Sequence, residues 1–119
     1  MATVLIVDDS RLARDMVSSV VTSLHPDWTV LVASGGAEAL ALVEGRTPHA
    51  AILDYNMPGM DGLELAGHLR ARFPALPMGF LTANVQESLK KKAEALGCGF
   101  IPKPITTDKI RAFLAGAGL

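Results

Sequence analysis

Ala50-Ala51-Ile52-Leu53-Asp54-Tyr55-Asn56-Met57-Pro58-Gly59-Met60-Asp61-Gly62 is the stretch that decides the fold. Its apolar run leads straight into an aspartate, and a Pro/Gly-rich turn follows at once. An unbroken apolar run of this kind reads as a strand buried on both faces, as strands of a parallel sheet are. Ligands of open parallel sheets gather outside the carboxyl ends of the strands. Asp54 is a charge at such an end. The alternative is that it only opens the turn, because Asp is a common turn residue.

Working outward, the same grammar repeats. Thr3-Val4-Leu5-Ile6-Val7 is a β-branched run that ends in Asp8-Asp9-Ser10, and it reads as strand one. Helix one is expected from about Arg11 to Leu24, with Leu12, Met16, Val20 and Leu24 spaced for one apolar face. His25-Pro26-Asp27 stops it, since Pro disfavours helix in the residue before it. Strand two covers Trp28 to Ala33, and helix two about Ala37 to Glu44. After strand three, helix three spans about Gly62 to Phe73 and is closed by Pro74. Strand four is Met78-Gly79-Phe80-Leu81, weakened by Gly79. Helix four runs from about Gln86 to Leu96, with Leu89, Ala93 and Leu96 on one face and Gly97 as terminator. Gly99-Phe100-Ile101 is strand five, and helix five covers about Thr107 to Ala115, capped by Thr106 or Thr107. Strands alternating with helices give an α/β fold, a doubly wound parallel sheet of five strands flanked by five helices.

The 119 residues suit one domain, so 1–119 is expected to be a single unit. Half are hydrophobic but only 5% aromatic, so small and aliphatic residues must do most of the packing. A net charge of −1 supplies no field for nucleic acid or an anionic membrane. The single cysteine, Cys98, excludes an internal disulfide and fits a reducing cytoplasm; its expected role is a small residue near a strand start. No apolar run approaches the ~20 residues of a membrane span, and Asp8 and Asp9 interrupt any signal-peptide pattern. A cytoplasmic location without membrane attachment is the expectation.

In an alternating sheet every β-to-α loop opens on one edge. That edge receives Asp8, Asp9, Asp54, Thr82 and Lys103, each following an apolar strand. Three carboxylates there repel one another and resist ionising together. A hard divalent cation relieves this, and Mg²⁺ prefers a few carboxylates plus water and phosphate oxygens. Lys103 offers a compact positive charge for a phosphoryl oxygen, and the Thr82 hydroxyl a hydrogen bond. Asp54 can serve as nucleophile and form an aspartyl phosphate, a reaction that needs mainly positioning and charge neutralisation. Seen singly, Asp8 or Asp9 could instead cap helix one, Thr82 could be a turn hydroxyl and Lys103 a surface lysine. Together, at one edge, they form a phosphoryl-transfer set.

On Val4-Leu5-Ile6-Val7-Asp8-Asp9-Ser10, the Asp54 stretch to Gly62, Leu81-Thr82-Ala83 and Phe100-Ile101-Pro102-Lys103-Pro104, the whole chain resembles a response regulator receiver domain of two-component signal transduction, close to the single-domain chemotaxis (CheY-like) type. The resemblance implies a flavodoxin-like sheet of order 2-1-3-4-5. It implies that Asp54 accepts phosphate from a sensor histidine kinase or a histidine phosphotransfer protein. Mg²⁺ would be held by Asp8, Asp9, Asp54 and the backbone carbonyl of Asn56. Thr82 and Lys103 would bind the phosphoryl group, and Phe100 would swing inward as Thr82 moves. The Lys103-Pro104 bond would be cis. Helix four, strand five and helix five would form the face that meets an output protein or domain, without direct nucleic-acid binding. Such a domain is no enzyme beyond its own aspartyl phosphorylation and dephosphorylation. It is expected to stand alone, the other reading being the N-terminal part of a longer regulator.

Some residues depart from the common pattern. Gly79-Phe80 replaces β-branched residues of strand four, so packing beneath Thr82 is expected to differ. Phe100 lacks a tyrosine hydroxyl, and Asn56 and Asn84 occupy positions that tune phosphate lifetime in the family. Lys90-Lys91-Lys92 is either a solvated helix face or a partner patch. Two competing readings fare worse. An aspartate-nucleophile phosphatase of the haloacid-dehalogenase type needs an Asp where Asn56 stands, and a cap to cover the substrate. A flavodoxin-like cofactor binder needs a Gly-rich phosphate loop after strand one, where Asp8 and Asp9 would repel the phosphate.

Overall fold

The computed structural model describes residues 2–57, 59–83 and 86–119. Its strands are β1 (Thr3–Val7), β2 (Thr29–Ala33), β3 (Ala50–Asp54), β4 (Met78–Thr82) and β5 (Cys98–Pro102). The helices between and after them are α1 (Arg11–Leu24), α2 (Gly36–Leu42), α3 (Gly62–Arg72), α4 (Glu87–Ala95) and α5 (Thr107–Gly116). All four strand pairings are parallel, in the order β2-β1-β3-β4-β5. The resemblance implied this order.

The sheet divides the core in two because successive strand residues point to opposite faces. Val4, Ile6, Ala50, Ile52, Leu81 and Ile101 face a cluster closed by Val17 and Val21 of α1 and Ile110 and Leu114 of α5. Leu5, Val7, Ala51, Leu53, Met78 and Phe80 face the other cluster, closed by Ala39, Leu65, Ala66, Leu69 and Ala93. Every residue of β3 and β4 is buried, as expected of strands covered on both sides. Cys98 is a buried small residue at the start of β5, its thiol pushed up from the ordinary range by burial.

One expectation fails in α1. Leu12 is 71% exposed and Met16 42%, whereas Ala13, Val17 and Val21 are the buried residues. The two stripes lie one residue, roughly 100°, apart on the helix. Both are apolar, so periodicity alone does not choose between them. The small and β-branched stripe faces the sheet, and only Val20 and Leu24 of the other reach the core margin. The helix caps are also decided. Ser10, not Asp8 or Asp9, caps α1 by accepting from the Ala13 N–H, and Thr106 caps α5 by accepting from that of Lys109. The Lys103-Pro104 bond is cis.

Gly79 has a definite purpose. A Cβ there would lie 2.8 Å from the Phe113 ring, so the missing side chain makes room for an aromatic of α5 over β4. The sequence signalled altered packing at this point, and its cause is a residue far along the chain.

Candidate functional site

At the carboxyl edge of the sheet the hydrogen-bond ladder continues past the strands. The Asp8 N–H donates to Ala33 O (3.2 Å), that of Tyr55 to Leu81 O (3.2 Å), and that of Lys103 to Thr82 O (2.9 Å). These bonds tie the first loop residues to neighbouring strands, so site side chains rise from a rigid base. Asp54 is the last residue of β3 and only 4% exposed. Carboxylate oxygens of Asp8, Asp9 and Asp54 lie within 4.8 Å of one another. The Lys103 ammonium is 3.5 Å from Asp54 Oδ1. Thr82 is buried at the end of β4.

The electrostatics follow from this crowding. Burial first, then the Asp8 charge, pushes the Asp54 carboxyl up to about 6, although Lys103 pulls the other way. Burial raises Asp8 as well, against its hydrogen bond from Ser10 and the Lys103 charge. Asp8 is 1% exposed, and its Oδ2 is a buried oxygen without a hydrogen-bond partner. Burying such an oxygen unpaired is costly, and a bound cation removes the cost. The donors are all carboxylate oxygens, the set a hard cation such as Mg²⁺ prefers. Asp8, Asp9 and Asp54 therefore fit a divalent ion.

The β3–α3 turn is held close. The Gly62 N–H donates to Tyr55 O (3.0 Å), and the Asp61 carboxylate caps α3 at the Glu64 N–H (2.9 Å). A Cβ on Gly62 would stand 2.5 Å from Asp54 O and 3.2 Å from the Phe80 ring, so only glycine lets α3 start here. Beside the turn, a polar cleft of about 270 Å³ is lined by Tyr55, Asn56, Thr82, Gln86, Ser88 and Lys92. Asn56 thus lines a cleft together with Thr82, whereas the expectation for Asn84 lies outside the described residues.

Three rings lead away from the site. The Tyr55 ring meets Phe80 edge-on at 6.2 Å, and Phe80 meets Phe100 at 6.3 Å. Phe100 was expected to matter, but its link to Tyr55 through Phe80 was not. Sequence reading also passed over Arg14, whose Nη1 donates to Asp8 O (2.8 Å), and Ser10, whose N–H donates to Asp8 Oδ1 (2.9 Å). The position of Ser10 just before a helix was a usable signal, while Arg14 looked like any solvated helix cation.

A family model described as "Response regulator receiver domain" matches residues 4–115. The chain belongs to this family. The receiver is 33% identical over 112 residues to the response regulator MprA of Mycobacterium sp. (strain KMS), covering 92% of this chain and 47% of that protein. It is 36% identical to the cyclic di-GMP phosphodiesterase response regulator RpfG of Xanthomonas campestris pv. campestris (strain 8004), covering 92% of this chain and 30% of that one. The chain thus spans about half or less of these curated relatives. Among solved structures, the chemotaxis protein CheY4 of Vibrio cholerae superposes with a TM-score of 0.91 at 32% identity, covering 98% of both chains. A two-component receiver with the CheY-like fold is therefore established. Among the described residues no helix is long and apolar enough to cross a membrane.

Proposed function

We propose that this receiver accepts a phosphoryl group on Asp54 from a phosphohistidine of a sensor kinase or phosphotransfer protein, and that the modified state alters its α4-β5-α5 face. The observation that carries this reading is the buried Asp54 carboxylate, flanked by Asp8 and Asp9 on one side and by Lys103 at 3.5 Å on the other. With its carboxyl at about 6, Asp54 is mostly ionised at pH 7 and able to attack. An Asp54 oxygen bonds to phosphorus as the donor's P–N bond breaks, and the electron pair leaves with the imidazole nitrogen. Lys103 then shifts from the carboxylate toward a phosphoryl oxygen, and the Thr82 hydroxyl donates to another. Asp8, Asp9, Asp54 and the Asn56 carbonyl would hold Mg²⁺, which when bound supplies charge neutralisation for the transferring group.

The product carries about −1.5 to −2 charges and draws Thr82 and Lys103 toward it. Movement at Thr82 changes the space open to Phe100, whose ring already rests near Phe80. Lys90, Lys91 and Lys92 are exposed on α4, as a partner surface requires. On the donor side, exposed Leu12 and Met16 line an apolar hollow together with Lys103, Pro104 and Ile105, so a donor protein resting there reaches the site. The output is binding of a protein or a further domain, without turnover of an external substrate, and the free buried thiol of Cys98 suits a reducing cytoplasm. The test is a beryllofluoride titration with Mg²⁺, read by amide chemical shifts. Saturable shifts at Asp54, Thr82, Phe100 and α4 are expected; their absence would contradict the reading.

A further inference from the structure

Several cations of this chain grip backbone rather than acidic side chains. Lys109 Nζ donates to Pro102 O and Pro104 O (both 3.0 Å), across the loop that carries Lys103. Arg70 ties Leu96 O (2.8 Å) to Leu76 O (2.6 Å) at the opposite edge of the sheet. Arg14 Nη1 donates to Asp8 O at 2.8 Å, and among the described residues it forms no ion pair.

The Arg14 bond completes an unusual restraint. The Asp8 N–H is taken by Ala33 O, its carbonyl by Arg14, and its Oδ1 by the Ser10 N–H at 2.9 Å. Only Oδ2 is left, buried and unpaired, next to Asp9 and Asp54. We propose that Arg14 is a positioning residue for divalent-cation binding: by holding the Asp8 carbonyl it fixes the one free Asp8 oxygen at the cation position. The inference rests on the reading of Asp8, Asp9 and Asp54 as the cation site.

Two effects of Arg14 oppose each other, which makes the sign decisive. As a bare positive charge it repels a cation, so neutralising it would tighten binding. As a support of a ligand it strengthens binding, and loss of such supports typically weakens metal affinity about 10–100-fold. Positioning is expected to win because the contact is to backbone one step from the ligand oxygen.

The test measures Mn²⁺ uptake by the unphosphorylated chain, using electron paramagnetic resonance of free Mn²⁺, an ion that suits the same oxygen donors. Wild type, Arg14→Met, Arg14→Gln and Arg14→Lys are compared, with melting in EDTA as a check on folding. Arg14→Met is expected to raise the Mn²⁺ Kd about tenfold, and Arg14→Gln, which keeps a donor, to recover part of the loss. Arg14→Lys keeps the charge and a donor of different reach, so it is expected to fall between Arg14→Met and wild type at an unchanged melting temperature. If Arg14→Met binds as tightly as wild type or more tightly, or if Arg14→Gln binds no better than Arg14→Met, the proposal is overturned while the cation site stands. If wild type takes up no Mn²⁺, both fall together.

Discussion

Asp8, Asp9 and Asp54 stand at the ends of β1 and β3, Thr82 and Lys103 at the ends of β4 and β5, and the two halves of this pocket are held differently. The acidic half is pinned: Ser10, Arg14 and Ala33 occupy every group of Asp8 except the oxygen that faces its fellow carboxylates. The other half is linked to side-chain packing. Thr82 borders a cleft along α4, and the rings of Tyr55, Phe80 and Phe100 run from the acceptor loop to β5. One half stores electrostatic stress that a bound cation would relieve, and in the proposed function the side chains of the other half rearrange when Asp54 is modified. The proposed switch requires that this packing take up a second arrangement in response to the local charge event.

The sharpest way to expose the stress in the acidic half is to remove it. Asp54→Asn deletes a carboxylate whose folded-state pKa is raised from 3.8 to about 6, a shift worth on the order of 3 kcal/mol against folding. The penalty is complete above the folded value and vanishes as the pH falls below the unfolded one, because Asp54 is then neutral in both states. Asp54→Asn is therefore expected to melt higher than wild type at pH 8 in EDTA. The gap should close between about pH 6 and pH 4, and shrink at pH 8 when Mg²⁺ is added. A gap independent of pH would remove the stress from the account.

The other half should respond to packing instead. Gly79→Ala places a methyl against Phe113 and is expected to cost about 1–3 kcal/mol, measured by chemical denaturation. Adding Phe113→Leu should recover part of that loss in a double-mutant cycle, and strict additivity would contradict the contact. Phe80→Leu breaks the ring chain for about 1 kcal/mol of lost aromatic packing. It is expected to leave Mn²⁺ affinity unchanged while reducing the beryllofluoride-dependent shifts at Phe100. Undiminished shifts at Phe100 would show that the rings do not transmit. The smallest effect is expected from exchange of Asn56 or Asn84, which should change the dephosphorylation rate by about severalfold. Unchanged decay in both variants would show that these positions do not tune lifetime.

The legibility of the sequence follows the same division. Asp8, Asp54 and Lys103 could be found because a charge directly after a buried apolar run leaves a mark in residue type. The same is true of Gly97, which ends α4 with a positive φ of 68°. The core face of α1 could not be found, because Leu12 and Met16 mimic a buried stripe beside the true one at Ala13 and Val17. Gly79 read as a weak strand residue because its reason, Phe113, lies in a distant helix. Arg14 left no mark at all: its acceptor is a backbone carbonyl, which every residue has. Sequence pattern thus exposes the charged groups that gather at the carboxyl edge of the sheet and hides those that contact them through backbone or fit by shape.

The measurement that tests the central claim most directly is the intact mass of wild type and Asp54→Asn after incubation with acetyl phosphate and Mg²⁺. One phosphoryl group is expected on wild type, lost when EDTA replaces Mg²⁺ and never gained by Asp54→Asn. Equal labelling of both proteins would place the acceptor elsewhere and contradict the account.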